Sequence, residues 1–217
     1  MAITYVGIGT RVDSGTGTPT LAYPAGIVSG DTLVACCHHR GSTNTMSAPS
    51  NALTWTDTGS TMIFFKVYTA TYDGLAAAPT IDTLTAATYG VMLAIRSSNP
   101  IVVDAIANTS TTQVNMRYPA LTLANDNEFV LTYCRTNSAI TSVAPDTGWT
   151  EIEDANLATS MAGVQICYQI QTTRTNVVQG NPVVTGSTSL AVHGITLAFT
   201  EGPPVAAVAR PLLLGVG

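Results

Sequence analysis

Two stretches of this chain read as versions of one another, and that doubling constrains the fold more than any single motif. The first runs through Tyr23-Pro24-Ala25, Gly30 to Ala35, Ala48-Pro49, Trp55-Thr56-Asp57, Ile63 to Thr69, Pro79-Thr80-Ile81 and Tyr89-Gly90-Val91. The second runs through Tyr118-Pro119-Ala120, Asp126 to Leu131, Ala144-Pro145, Trp149-Thr150-Glu151, Val164 to Ile170, Pro182-Val183-Val184 and His193-Gly194-Ile195. The order is kept, and the offset grows only from 95 (Tyr23 to Tyr118) to 104 (Gly90 to Gly194). A residue explained by such a repeated plan needs no catalytic explanation.

The matched segments read as β-strands. Ile63, Phe65, Val67 and Thr69 alternate with Phe64, Lys66, Tyr68 and Ala70, a period of two. Thr32 to His38 is apolar on both faces at its start and reads as a central strand. Further strands are expected over Ile3 to Ile8, Thr54 to Asp57, Thr88 to Arg96 and Ile101 to Ile106. In the second copy they fall at Gln113 to Tyr118, Glu128 to Arg135, Trp149 to Glu153, Gly163 to Thr172 and Leu190 to Thr200. About 35 threonines and a charged fraction of only 10% suit strands whose outer positions stay polar without charge. The expected fold is all-β: an antiparallel two-sheet sandwich of jelly-roll type, built from two similar halves. Residues 1–200 form one domain, with the internal repeat at 23–100 and 118–204 and an extended C-terminal arm at 201–217. Ile101 to Ile106 is apolar and β-branched, unlike a flexible linker, so the halves are expected to share one core. Trp55 and Trp149 are the expected core plugs.

Composition excludes several partners. Net charge is −5 and Lys66 is the only lysine, so no basic stripe exists to track phosphates and nucleic acid is not an expected partner. No run of 18 apolar residues is present, and no membrane partner is expected. Met1-Ala2-Ile3-Thr4 lacks the basic and apolar regions of a secretory signal, which points to synthesis in a cytoplasm.

No catalytic, cofactor or metal site is expected. Adjacent Cys36 and Cys37 point to opposite strand faces and make poor joint ligands. They, Cys134 and Cys167 read as small buried strand residues, with a bridge from Cys36 or Cys37 to Cys134 left open. His38 and His39 beside them do not form a ligand spacing, and His193 matches Tyr89 before a glycine. Asn125-Asp126-Asn127-Glu128 lacks the remaining ligands of a calcium loop and coincides with the turn at Ser29 to Thr32. Gly15-Thr16-Gly17 is no phosphate cradle, and no nucleophile elbow occurs. Asp57, Glu151, Glu153 and Asp154 could pair for sugar hydrolysis, but Asp57 and Glu151 are repeat equivalents. The chain is expected not to be an enzyme.

The tail Gly202 to Gly217 departs from the repeat. Its apolar run and three prolines suit an arm lying on a neighbour, with Pro203, Pro204, Val205, Val208, Pro211, Leu212, Leu213 and Leu214 as the expected partner contacts.

Taken together, Tyr23 to Ala35, Ala48 to Thr56, Ile63 to Thr71 and Tyr89 to Pro100, repeated once, resemble a group of β-sandwich virion proteins of tailed bacteriophages and prophages. The second copy shows the signature weakly: Asn127 stands where Asp is expected, and Gly30 has no Gly counterpart. The resemblance covers roughly residues 3–200 and carries no catalytic residues. It implies a capsid decoration or cement protein that binds the shell as a homo-oligomer, a homotrimer in contact with the major capsid protein. The alternative it implies is a tail or head fibre module binding host-surface glycan through exposed aromatics, with Tyr5, Tyr68, Tyr72 and Tyr133 as candidates. The implied location is the virion.

Overall fold

Thr32–His39 is buried along its whole length, which requires cover on both faces, and the fold supplies it. The computed structural model describes residues 3–15, 17–40, 44–81, 87–113, 118–137, 144–157, 162–177 and 190–204. Among these, the first sheet holds β1 (Thr4–Ile8), β2 (Val12–Ser14), β3 (Thr32–His39), β4 (Thr56–Asp57), β5 (Phe65–Thr71) and β6 (Thr88–Arg96). Its order is β1-β6-β3-β5-β4, with β2 also on β6. The second holds β7 (Ile101–Gln113), β9 (Glu128–Thr136), β10 (Thr150–Leu157), β11 (Ala162–Gln171) and β13 (Leu190–Glu201), ordered β10-β11-β9-β13-β7. β8 (Leu121–Thr122) and β12 (Asn176–Val177) form a small separate pair. All strand pairs are antiparallel, and no helix occurs among the described residues.

The architecture is a two-sheet antiparallel β-sandwich, and each sheet draws its strands from one continuous half of the chain. The two strand orders correspond: β7, β13, β9, β11 and β10 stand where β1, β6, β3, β5 and β4 stand. The registers correspond too. Cys37 lies opposite Gly90 and Lys66, while Cys134 lies opposite Gly194 and Gln165. Thr56 pairs with Thr69, as Thr150 pairs with Tyr168. Both first strands of the halves carry a bulge at the same place, at Val6 and at Asp104.

This register moves the expected matches within one strand pair by a residue. His38 corresponds to Arg135, not Cys134, and Asp31 corresponds to Glu128. Gly30 then matches Asn127, and both take a left-handed backbone, with φ of 97° and 61°. Asn is among the few side-chain-bearing residues that enter this region readily. The counterpart of the turn glycine is therefore an asparagine.

The main core lies between the sheets. Val34, Cys36, Phe65, Val67, Tyr89, Val91, Leu93 and Ile95 meet Phe129, Leu131, Tyr133, Val164, Ile166, Ile195, Leu197 and Phe199. Burying each large apolar side chain stabilises by about 1.5–3 kcal/mol. Each sheet also covers its own outer face. Leu21, Met46 and Ile81 from loops cover Leu33, Ala35, Cys37 and Met92. Leu121, Leu123, Trp149 and Val177 cover Val130, Cys167 and Ala198. The two tryptophans therefore plug the outer layers rather than the space between the sheets. Trp149 is 8% exposed, while Trp55 is half-buried with its Nε1 donating to Asn51 Oδ1 at 2.9 Å.

Most strand expectations agree with these elements. The main departure is β7, one continuous strand through Gln113 where two separate strands, Ile101 to Ile106 and Gln113 to Tyr118, are expected; residues 114–117 lie outside the described residues. Cys36 points into the inter-sheet core, and Cys134 lies on the opposite face of β9 from the inward Tyr133. Cys37 joins the outer cluster of the first sheet. A bridge between either of them and Cys134 would have to cross a sheet.

Candidate binding groove

The edges of a sandwich are where its two sheets either seal against each other or leave space, and this molecule does both. At one edge β1 of the first sheet lies over β10 and β11 of the second. Tyr5 stacks on Tyr168 with ring centroids 4.9 Å apart, and Tyr168 stacks on Phe129 at 5.1 Å. Arg11 Nη1 adds an ion pair to Glu153 Oε1 at 2.7 Å. Burial, with the neighbouring Tyr168 adding to it, pushes the Tyr5 hydroxyl up to about 12.

At the other edge β4 and β7 face one another, and the register places Val103, Thr69 and Thr32 at the positions of Tyr5, Tyr168 and Phe129. A groove of about 550 Å³ runs here, lined by Thr56, Asp57, Thr58, Thr69 and the continuous stretch Ile101 to Ile106. A second hollow of about 190 Å³, lined by Thr32, Thr54, Thr56, Thr69, Ala70, Thr71 and Ile101, continues it. Among the described residues β4 pairs with β5 alone and β7 with β13 alone, so both walls present a strand edge. Such an edge is a template for an added strand.

Two acids stand in the groove. Asp57 Oδ2 accepts from Lys66 Nζ at 2.7 Å, and its counterpart Glu151 accepts from Gln165 Nε2 at 2.9 Å, so the same cross-strand bond recurs in both sheets. Asp104 Oδ1 accepts from Asn125 Nδ2 at 3.1 Å. Behind it lies Glu128, fully buried, whose Oε1 accepts from the Asn125 N–H at 2.8 Å. Burial pushes the Glu128 carboxyl above its ordinary value; Asp104 adds to this and the Asn125 N–H opposes it. The corresponding Asp31 behaves oppositely. Burial alone would raise it, but Arg96, bonding both its oxygens at 2.6 and 2.8 Å, pulls it below the usual carboxylate range.

The remaining sequence candidates are dispersed. Asp57 occupies β4, at the opposite edge of the molecule from Glu151, Glu153 and Asp154 on β10, where Glu153 pairs with Arg11 and Glu151 accepts from Gln165. Asn125 to Glu128 closes its own turn, with Asp126 Oδ1 accepting from the Arg174 N–H. The four tyrosines do not converge into an aromatic patch. Tyr68 and Tyr133 are buried, Tyr5 is taken up by Tyr168, and Tyr72 packs on Tyr23 at 5.0 Å.

His38 is fully buried between the sheets, its Nδ1 2.6 Å from the Tyr133 hydroxyl and its ring stacked on Tyr89 at 5.0 Å. Burial holds it well below the ordinary histidine value, helped by the charge of Arg135. Arg135, 3% exposed, donates to the His39 and Arg40 carbonyls at 2.7 and 3.2 Å and lies over the Phe64 ring. Burial lowers its guanidinium to about 10. His193, held down to about 4 by burial and Arg135, contacts Ser110 Oγ at 3.0 Å. This group ties the last carbonyl of β3 and that of Arg40 just beyond it to the opposite sheet.

Of the expected tail contacts, Pro203 and Pro204 are exposed; Val205, Val208, Pro211, Leu212, Leu213 and Leu214 lie outside the described residues. Sequence reasoning did not single out Thr32, Thr69 and Val103. The available signal was their mismatch with Phe129, Tyr168 and Tyr5 once the halves are aligned by strand. No family model matches the chain, and no curated protein or solved structure matches it.

Proposed function

We propose that this chain is a non-enzymatic structural component of a tailed-phage particle, a head decoration protein that binds the shell as a homo-oligomer. The observation that carries the reading is the common strand order and register of the two sheets. It supports a scaffold duplicated within one domain, the organisation on which the resemblance to phage sandwich proteins rests. The strand order speaks against the expected jelly-roll type, because each sheet takes its strands from one continuous half, whereas jelly-roll sheets interleave strands from both. Acids accounted for by scaffold bonds support a role without catalysis. A homotrimer contacting the major capsid protein is the assembly proposed. Mass spectrometry of purified particles tests it: copy numbers comparable to the major capsid protein support decoration, and absence from particles overturns it.

One observation favours a second reading, a fibre module binding host-surface glycan. The groove presents the threonines 56, 58 and 69 beside Asp57, polar groups suited to sugar hydroxyls. A handful of copies per particle together with a positive glycan-array screen would favour this alternative.

A further inference from the structure

The groove between β4 and β7 and the end of β13 lie together. Glu201, the last residue of β13, pairs with Ile101, the first residue of the groove wall. The Gly202 N–H donates to the Pro100 carbonyl at 2.7 Å, and a side chain at this position would meet Val102. The tail thus departs at one end of a groove whose far side it could reach only by reversing. β13 runs antiparallel to β7, so a tail entering its own groove must turn back within Gly202-Pro203-Pro204. Consecutive prolines oppose this: each fixes φ near −65°, and each disfavours a turning conformation in the residue before it. A trans proline pair at both corners of a turn is disfavoured, so Gly202-Pro203-Pro204 is poorly suited to returning the chain into its own groove.

We propose that the groove receives residues 205–210 of a second copy's tail, added as a strand along β7. Three features fit this occupant. Val205-Ala206-Ala207-Val208-Ala209-Arg210 is a proline-free run bounded by Pro204 and Pro211, and its six residues match the six of the wall Ile101 to Ile106. At about 3.3 Å per residue both span about 20 Å. Its side chains are small, and the groove is bordered by Val103, Thr69 and Thr32 where the opposite edge of the sandwich holds three rings. Arg210 is the only charged side chain from Gly202 to Gly217, and the groove is lined by two acids, Asp57, already paired with Lys66, and Asp104, bonded only to the neutral Asn125 amide. The occupant rests on the homo-oligomer of the proposed function, but not on a place in a virion.

Cross-linking of the purified full-length protein tests it. The native thiols are all buried, so background is low. Chains carrying Val102→Cys are mixed with chains carrying Val208→Cys under mild oxidation. The control pairs Val208→Cys with Ile170→Cys, an exposed position, 40% accessible, on β11, which β9 and β13 separate from β7. The expected result is a disulfide-linked dimer at least tenfold above the control. Equal yields overturn the proposal, as does a chain with both substitutions that closes only on itself. Should Val102→Cys not fold, Thr58→Cys on the opposite wall replaces it with the same expectation. Cross-linking without particle incorporation would sink the virion role and leave this interface standing; the reverse result would sink the interface alone.

Discussion

The sealed edge at β1 and β10 and the open edge at β4 and β7 have corresponding backbones and opposite fillings. At the first, Tyr5, Tyr168 and Phe129 stack across the gap; at the second, Val103, Thr69 and Thr32 leave a groove of about 550 Å³. The contrast teaches that the central strands carry the cohesion of the sandwich, while its edges can be closed or left for a partner. Both edges of the sandwich carry the same strand-edge liability. One is sealed internally by rings, and the other is the place where a second chain can supply what the first lacks.

The largest effect is expected from making the sealed edge resemble the open one. Tyr5→Val with Tyr168→Thr should cost about 3 kcal/mol in denaturant melts, from lost burial and lost stacking. A loss under about 1 kcal/mol would mean that the rings do not close that edge. Next comes Tyr133→Phe in the middle of the sandwich, which strips His38 Nδ1 of its hydroxyl partner. A buried polar atom left without its bond costs about 1–3 kcal/mol, so an unchanged urea midpoint would show that the contact is dispensable.

The corresponding acids Asp31 and Glu128 should respond with opposite signs. Asp31 is held down, so its contribution is present above its unfolded value near 3.8 and fades as pH falls. Asp31→Asn should therefore lower the urea midpoint at pH 7 and lose that effect in acid. Glu128 is held up, so its ionisation costs stability as pH rises from its unfolded value near 4.5 through its raised folded value. Glu128→Gln should raise the midpoint at pH 7 and give no gain below pH 4.5. Matching signs at pH 7 would contradict the assigned environments. The smallest effect belongs to Arg11→Ala, under about 1 kcal/mol, since an exposed ion pair adds little. A loss equal to that of the tyrosine pair would shift the closure of that edge from rings to charge.

Much of the fold was legible because strand periodicity and burial leave direct marks. Thr88 to Arg96 is strand β6 end for end, and the wholly apolar start of Thr32 to His38 announced a strand covered on both faces. The matches Trp55 with Trp149 and Asp57 with Glu151 survive in the pairing registers. What failed was alignment by letter. Seeking Asp where Asp31 stands put Asn127 in its place, whereas the backbone demand for positive φ pairs Asn127 with Gly30. The outer-layer role of Trp149 was hidden because a strand pattern says that a side chain is buried, not on which side of the sheet. The groove was least visible. It arises from three positions on different strands, each unremarkable alone, and only the register shows that rings are replaced there by small side chains.

The most direct test is to fill the open edge. Val103→Tyr with Thr69→Tyr installs the ring pair of the sealed edge at its corresponding positions. If the two edges share one plan, this variant folds with a melting temperature at or above that of the parent chain, and cross-linking between positions 102 and 208 disappears. A destabilisation beyond about 2 kcal/mol, of the size that overpacking a filled site produces, would contradict the correspondence of the two edges.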